Sequence, residues 1–220
     1  MISDNVRNVK ARIEAACVRV RRDPAGVTLV AVTKGRPAGD ILQALDAGIS
    51  DIGENKVQEA SAKYEAVSGR LRQGSPVRWH MIGHLQTNKV KDAVRMFDLI
   101  HSVDSLRLAQ EIDTQAAKIG KVQDILVEVK TSPEATKYGI DPDALSGLVE
   151  KIARLKNVRL QGLMTMAPAG AAAESARPYF RAMRSFGHAV LSMGMTDDFE
   201  VAVEEGATIV RIGRALFEDT

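Results

Sequence analysis

The sequence predicts an α/β chain whose strands and helices alternate and close into a single (β/α)8 barrel, preceded by one additional amino-terminal helix. Three observations predict it. Eight short apolar runs recur along the 220 residues, and most of the gaps between them carry helical periodicity. Such alternation builds parallel sheets with helical crossovers, and a right-handed crossover repeated eight times closes a TIM-type ring. The loop after the first run, Val32-Thr33-Lys34-Gly35-Arg36-Pro37, lacks the G-x-G-x-x-G pattern that the competing doubly wound open sheet places there. The length suits one such barrel, whose usual range is about 200 to 400 residues.

The amino-terminal segment from Ser3 to about Arg22 reads as an amphipathic helix, with Val6, Val9, Ile13 and Ala16 at helical spacing and Ser3 placed to cap it. The eight strand candidates then follow as Thr28–Lys34, Asp51–Glu54, Arg78–Gly83, Leu99–Val103, Ile125–Lys130, Arg159–Met166, His188–Met193 and Thr208–Gly213. Helical periodicity marks Gly39–Ala47, Leu106–Ile119, Asp143–Leu155 and Ala176–Phe186, and helical starts follow the last two strands at Asp197–Glu205 and Arg214–Phe217. Gly69–Pro76 and Met166–Glu174 read as loops within one domain spanning 1–220, because a periodic segment follows each.

Composition narrows the function classes. Hydrophobic residues make up 45% of the chain and charged residues 26%, an ordinary balance for a globular domain. The formal net charge is only +2, which offers no field to attract nucleic acid or an anionic membrane. No apolar run reaches the ~18–20 residues of a membrane span, and the first residues lack the apolar stretch of a signal peptide. The lone cysteine, Cys17, excludes an intrachain disulfide and reads as a small hydrophobe on the first helix. A cytoplasmic monomer is expected.

In such a barrel the chemistry sits at the carboxyl ends of the strands. Lys34 shares a face with Val30 and Val32, so it points toward the mouth, where desolvation would free an amine for attack on a carbonyl. Barrels often bind phosphate at the seventh and eighth strand ends, on backbone amides and the start of a short helix. Here Ser192 and Thr196 supply hydroxyls, and Gly194 and Gly213 let backbone approach an anion. Arg211 shares the face of Ile209 and Gly213; if inward, its guanidinium needs either a carboxylate from a neighbouring strand or an acceptor on a ligand. A reactive lysine, a partner for a ring nitrogen and a phosphate site are what pyridoxal phosphate requires.

Other constellations carry less. His80 and His84 have the i, i+4 spacing of a zinc motif without its glutamate, and they fall on a strand and a turn. Ser192 has no G-x-S-x-G context for a hydrolase nucleophile. Met164, Met166, Met193 and Met195 read as barrel packing, with Met193 and Met195 placed to flank a ring. Lys118-Ile119-Gly120-Lys121 reads as a solvated helix end.

Leu29–Lys34, Gly53–Glu59, Trp79–Lys89, His101–Asp104, Leu191–Asp198 and Val210–Gly213 resemble, in order, the pyridoxal phosphate homeostasis protein family. The resemblance implies a barrel like the amino-terminal domain of alanine racemase, with pyridoxal 5'-phosphate held as an aldimine on Lys34. It also implies phosphate contacts from Ser192, Gly213 and the neighbouring amides, including Met195 and Thr196, and Arg211 as partner of the pyridine nitrogen. Asn55 and His80 match positions lining the cofactor pocket. The chain departs from the family pattern at Arg214, where relatives commonly carry a small hydroxyl residue, and at Glu218, where they usually carry glycine. A guanidinium at 214 could serve as an anion ligand in place of the hydroxyl.

Racemisation needs two bases, one on each face of the cofactor plane. In alanine racemase-like enzymes the second comes from another domain, which is not expected here. Tyr64 and Tyr179 read as helical packing residues, which leaves Tyr138 as the internal substitute. Arg211 favours a neutral ring nitrogen, which weakens the ring as an electron sink. The expected function is therefore cofactor holding and homeostasis, with cofactor-dependent apoenzymes as possible recipients. A low-activity racemase is the enzymatic alternative, and a phosphosugar aldolase working through a lysine imine without pyridoxal phosphate is a third reading.

Overall fold

Eight parallel strands form a closed barrel in sequence order in the computed structural model, with the last strand pairing back to the first. The structure describes residues 1–69, 77–131, 138–168 and 172–218. Most of the expected loop Gly69–Pro76, the centre of the expected loop Met166–Glu174 and the last two residues therefore lie outside the described residues.

The first helix, α1 (Ile2–Arg19), buries Val6, Val9, Ile13, Ala16 and Cys17 along one stripe. Each fully buried Val or Ile of that stripe contributes roughly 1.5–3 kcal/mol. The helix starts at Ile2, so Ser3 lies inside its first turn and does not cap it. At that end the Met1 ammonium and Arg7 both bind the Asp4 carboxylate, which holds the turn closed.

The barrel then runs β1 (Thr28–Val32), α2 (Ala38–Asp46), β2 (Asp51–Glu54), α3 (Val57–Ser68), β3 (Arg78–Met81), α4 (Val90–Met96), β4 (Leu99–Val103) and α5 (Leu106–Lys118). It continues with β5 (Gln123–Glu128), α6 (Leu145–Ile152), β6 (Val158–Met164), α7 (Arg177–Ser185), β7 (Val190–Ser192), α8 (Phe199–Glu204), β8 (Ile209–Ile212) and α9 (Arg214–Phe217). β2 and β4 end where expected, and the other six strands stop one or two residues short of their expected carboxyl ends.

Two helices had no strong sequence signal. α3 buries only Val57, Ala60 and Val67, and α4 is seven residues long behind a 3-10 turn at Thr87–Lys89. Lys121 corrects another expectation. Rather than being solvated, its ammonium donates to the carbonyls of Val94 and Phe97 at 2.8 and 2.7 Å, satisfying the carboxyl end of α4, and burial pushes it down.

Two apolar layers result. The larger lies between strands and helices. The smaller fills the barrel itself with Val30, Leu99, Leu126, Met164 and Ile209. Val30 is thus an inward residue, and the residues two and four positions on, Val32 and Lys34, follow it to the mouth. α1 closes the outside seam against α8 and α9, where Arg12 binds Glu200 and Arg19 binds Glu204, both at 2.6 Å. These pairs are partly exposed, so each is worth about 0.2–1 kcal/mol. Among the described residues no helix is long and apolar enough to cross a membrane.

Candidate functional site

The carboxyl ends of the strands surround a cavity of about 520 Å³ lined by Val32, Lys34, Asn55, Ile82, Met166, Pro168 and Ala176 on one side. Met195, Thr196, Asp197, Asp198, Arg211, Gly213 and Arg214 complete it. The volume is that of a small-molecule site, commonly about 300–1,000 Å³. Seven of the nine residues expected at a site from sequence are therefore brought together here: Lys34, Asn55, Met195, Thr196, Arg211, Gly213 and Arg214.

Lys34 stands two residues beyond the end of β1 in a turn that α3 holds from both sides. Thr33 donates its amide to the Gly53 carbonyl at 3.0 Å and accepts Lys63 Nζ on its own carbonyl at 2.7 Å. Gly35 donates its amide to Glu59 at 3.3 Å. Lys63 is itself anchored at 2.8 Å to Glu54, a fully buried carboxylate that also accepts the Thr33 hydroxyl at 2.5 Å. Lys63 and Glu59 sit one helical turn apart, so one face of α3 pins the backbone before and after Lys34. The Lys34 side chain is exposed at the cavity, so the polypeptide alone does not desolvate it as expected.

Arg211 forms a buried part of the cavity wall. Its Nη1 donates to the Ser192 hydroxyl at 2.6 Å and its Nη2 to the Thr165 carbonyl at 2.9 Å. Neutral acceptors, not a carboxylate, thus orient it directly. Burial lowers Arg211 to about 10, offset by the charges of Glu128 and Asp198, so it remains a cation at neutral pH. Val30 and Arg211 are register partners of β1 and β8, which puts Lys34 and Arg211 on adjoining strands.

The lip near β7 and β8 carries Thr196, Gly213 and Arg214. At Gly213 an added Cβ would meet Val32 only at 3.5 Å, an ordinary contact, so protein packing does not demand glycine there. Its bareness leaves the cavity wall open to a ligand. Gly194 has a different reason from the one expected. Its φ of +94° suits glycine, and a Cβ would lie 2.6 Å from Ala202 of α8. Arg214 pairs with Asp197 across the lip, and Glu218 accepts from Arg36 at 3.3 Å.

His80 and Ser192 lie beneath the cavity, fully buried. The Ser192 hydroxyl is engaged by Arg211 and, at 2.9 Å, by His101 Nδ1. His80 binds His101 and Asp51. His84 diverges from it, stacking on Tyr138 with centroids 3.8 Å apart. The methionine expectation also changes: Met193 is turned into the helix layer, and Met166 joins Met195 at the cavity.

Sequence reasoning missed Glu128, at the end of β5. It is almost fully buried, and burial raises its carboxyl to about 7, opposed by Arg211 and aided by Asp104. Its spacing of two from the inward Leu126 was the available signal.

The chain matches the family described as alanine racemase, N-terminal domain, over residues 2–220. It is 42% identical to the pyridoxal phosphate homeostasis protein of Aquifex aeolicus, over 97% of this chain and 96% of that protein. It is 39% identical to the protein so named in Pseudomonas aeruginosa, over 98% of this chain and 94% of that one. The chain belongs to the pyridoxal phosphate homeostasis protein family. PipY of Synechococcus elongatus, whose structure was solved with pyridoxal phosphate bound, is similar with a TM-score of 0.87 and 35% identity, covering 99% of this chain and 100% of PipY. In this member of the family the Arg214 guanidinium and its Asp197 partner stand at the cavity lip.

Proposed function

We propose that this chain binds pyridoxal 5'-phosphate in the mouth cavity, attached through Lys34, and serves to hold and release the cofactor. One observation carries the reading: an exposed lysine on a turn whose backbone is held from both sides and a buried cationic guanidinium line one cavity of about 520 Å³. The donor set fits this group. Lys34 meets an aldehyde, Arg211 faces the acceptor nitrogen of a pyridine, and Thr196, Gly213 and Arg214 offer a hydroxyl, a bare backbone wall and a cation to a phosphate. Bound there, pyridoxal phosphate supplies an aldehyde that condenses reversibly with amines. The chain's own residues would orient it: Asn55 and Ile82, just beyond β2 and β3, would border it, Met166 and Met195 would supply apolar contact, and Arg211 would offer a donor to the ring nitrogen.

Holding is favoured over turnover because a guanidinium that stays cationic leaves the ring nitrogen unprotonated, which weakens electron withdrawal. Apoenzymes that use the same cofactor are the recipients this reading implies. The test is a titration of the purified chain with pyridoxal phosphate, followed in the visible. The expected result is one equivalent taken up, with a long-wavelength band that Lys34→Ala abolishes. No uptake, or a phosphosugar bound covalently without that band, would replace this reading with the aldolase alternative.

A further inference from the structure

The polar interior continues below Arg211. Arg211 Nη1 meets Ser192 Oγ at 2.6 Å, and Ser192 Oγ meets His101 Nδ1 at 2.9 Å. His101 Nε2 meets His80 Nδ1, and His80 Nε2 meets Asp51 Oδ1, each at 2.9 Å. All five side chains are buried. They come from five strands, and Asp51 is the first residue of its own, at the amino-terminal face. There it borders a second cavity, of about 410 Å³, beneath α1. The chain of hydrogen bonds therefore crosses the barrel from one face to the other.

Its two ends dictate its direction. A guanidinium only donates and an ionised carboxylate only accepts, while each neutral imidazole has one donor and one acceptor nitrogen. Starting from Asp51, His80 must carry its proton on Nε2, which leaves Nδ1 to accept. His101 must then donate from Nε2 and accept on Nδ1, so the Ser192 hydroxyl donates to His101 and accepts from Arg211. Every buried donor and acceptor along the path is satisfied in this arrangement. The opposite direction requires an imidazolium at His80, a second buried cation in a chain that already ends in Arg211.

Resting on the reading that Arg211 faces the cofactor ring, we infer that Asp51, His80, His101 and Ser192 form a one-directional relay that positions Arg211. Asp51, His80 and His101 are not among the described residues lining the mouth cavity and act through Ser192. The electrostatics agree. Burial would raise Asp51, but the hydrogen bonds from His80 and Ser50 and the charge of Arg78 hold it below the usual carboxylate range. Burial, with the charges of Arg211 and Arg78, holds His101 well below its ordinary value and so neutral.

Long-range proton–nitrogen NMR of the unliganded protein at neutral pH tests the direction. Both His80 and His101 should carry hydrogen on Nε2 and none on Nδ1. A proton on Nδ1 of His101, or an imidazolium at His80, would overturn the relay. In the loaded protein, His101→Phe should weaken pyridoxal phosphate retention by about tenfold and move the visible maximum, because the ring-nitrogen partner shifts. Retention and maximum both unchanged in that variant would overturn the positioning role. Should His101→Phe fail to fold, the NMR assignment still decides. A wild-type chain that takes up no cofactor would sink the functional reading and leave the ring tautomers untouched, so the two failures are distinguishable.

Discussion

Arg211 donates to Ser192 at 2.6 Å from inside the barrel wall, with its second donor on the Thr165 carbonyl at 2.9 Å. Two bonds of this kind fix the guanidinium plane and leave its remaining N–H groups for the cavity. The consequence is chemical. A fixed, cationic donor opposite a pyridine nitrogen suppresses ring protonation, and no tyrosine is among the described residues lining the cavity. The loaded protein should turn over single-enantiomer alanine far below the ~10 s⁻¹ typical of enzymes. Chirality and α-deuterium exchange measure this together. Exchange without racemisation fits a site in which Lys34 works alone, and enzyme-like racemisation contradicts a holding role.

Glu128 should make stability depend on pH. Its folded carboxyl is raised to about 7 by burial, against the usual 4.5. Between those values the folded state binds the proton and the unfolded state does not, so stability falls as pH rises through that window and levels off above it. Glu128→Gln should flatten the curve and gain up to about 3 kcal/mol at pH 8, with little change at pH 4. Urea unfolding across pH checks this. A wild-type curve that rises from pH 5 to pH 7 on account of Glu128 would contradict it.

Lys63 anchors the turn that carries Lys34. Removing it leaves Glu54 buried with one fewer partner, and Glu54 Oε2 already has none among the described residues. Lys63→Met should therefore cost about 3–5 kcal/mol, and the double variant with Glu54→Gln should recover a large part of it. A single variant within about 0.5 kcal/mol of wild type would show that the pair does not hold this turn.

The barrel was legible in the sequence because its inward and outward apolar faces make strands such as β1, with Leu29, Val30, Ala31 and Val32 in succession, continuous hydrophobic runs. The start of α1 was less so, since Ser3 looks like a cap wherever the helix begins. α3 escaped because alanine and charge dilute its stripe, yet two of its residues hold the Lys34 turn. At the site, alternation placed Lys34 and Arg211 on the mouth face. It could not say whether Ser192 meets a ligand or a neighbour, because that depends on how closure sets His101 against it. Glu128 was readable from its spacing to Leu126 and became informative only once burial was known.

Arg214 and Asp197 form an exposed pair at the lip, with side chains 62% and 68% accessible. Such a pair adds little stability, so Arg214→Thr should leave the unfolding midpoint nearly unchanged. Its effect should fall on the ligand. If the guanidinium leaves Asp197 for the phosphate, the preference for pyridoxal phosphate over pyridoxal should drop by about tenfold. Parallel titrations with the two compounds measure it. An unchanged preference would return the phosphate to Thr196 and backbone amides, and equal affinity of the wild type for both would reject a phosphate site at this lip.

The most direct test of the account is where the cofactor is attached. The native protein is loaded with pyridoxal phosphate, reduced with borohydride, digested and mapped by mass. The pyridoxyl group is expected on Lys34, within the turn that Lys63 and Glu59 hold. Label found mainly on Lys63, Lys89 or any other lysine, with Lys34 unmodified, would contradict it.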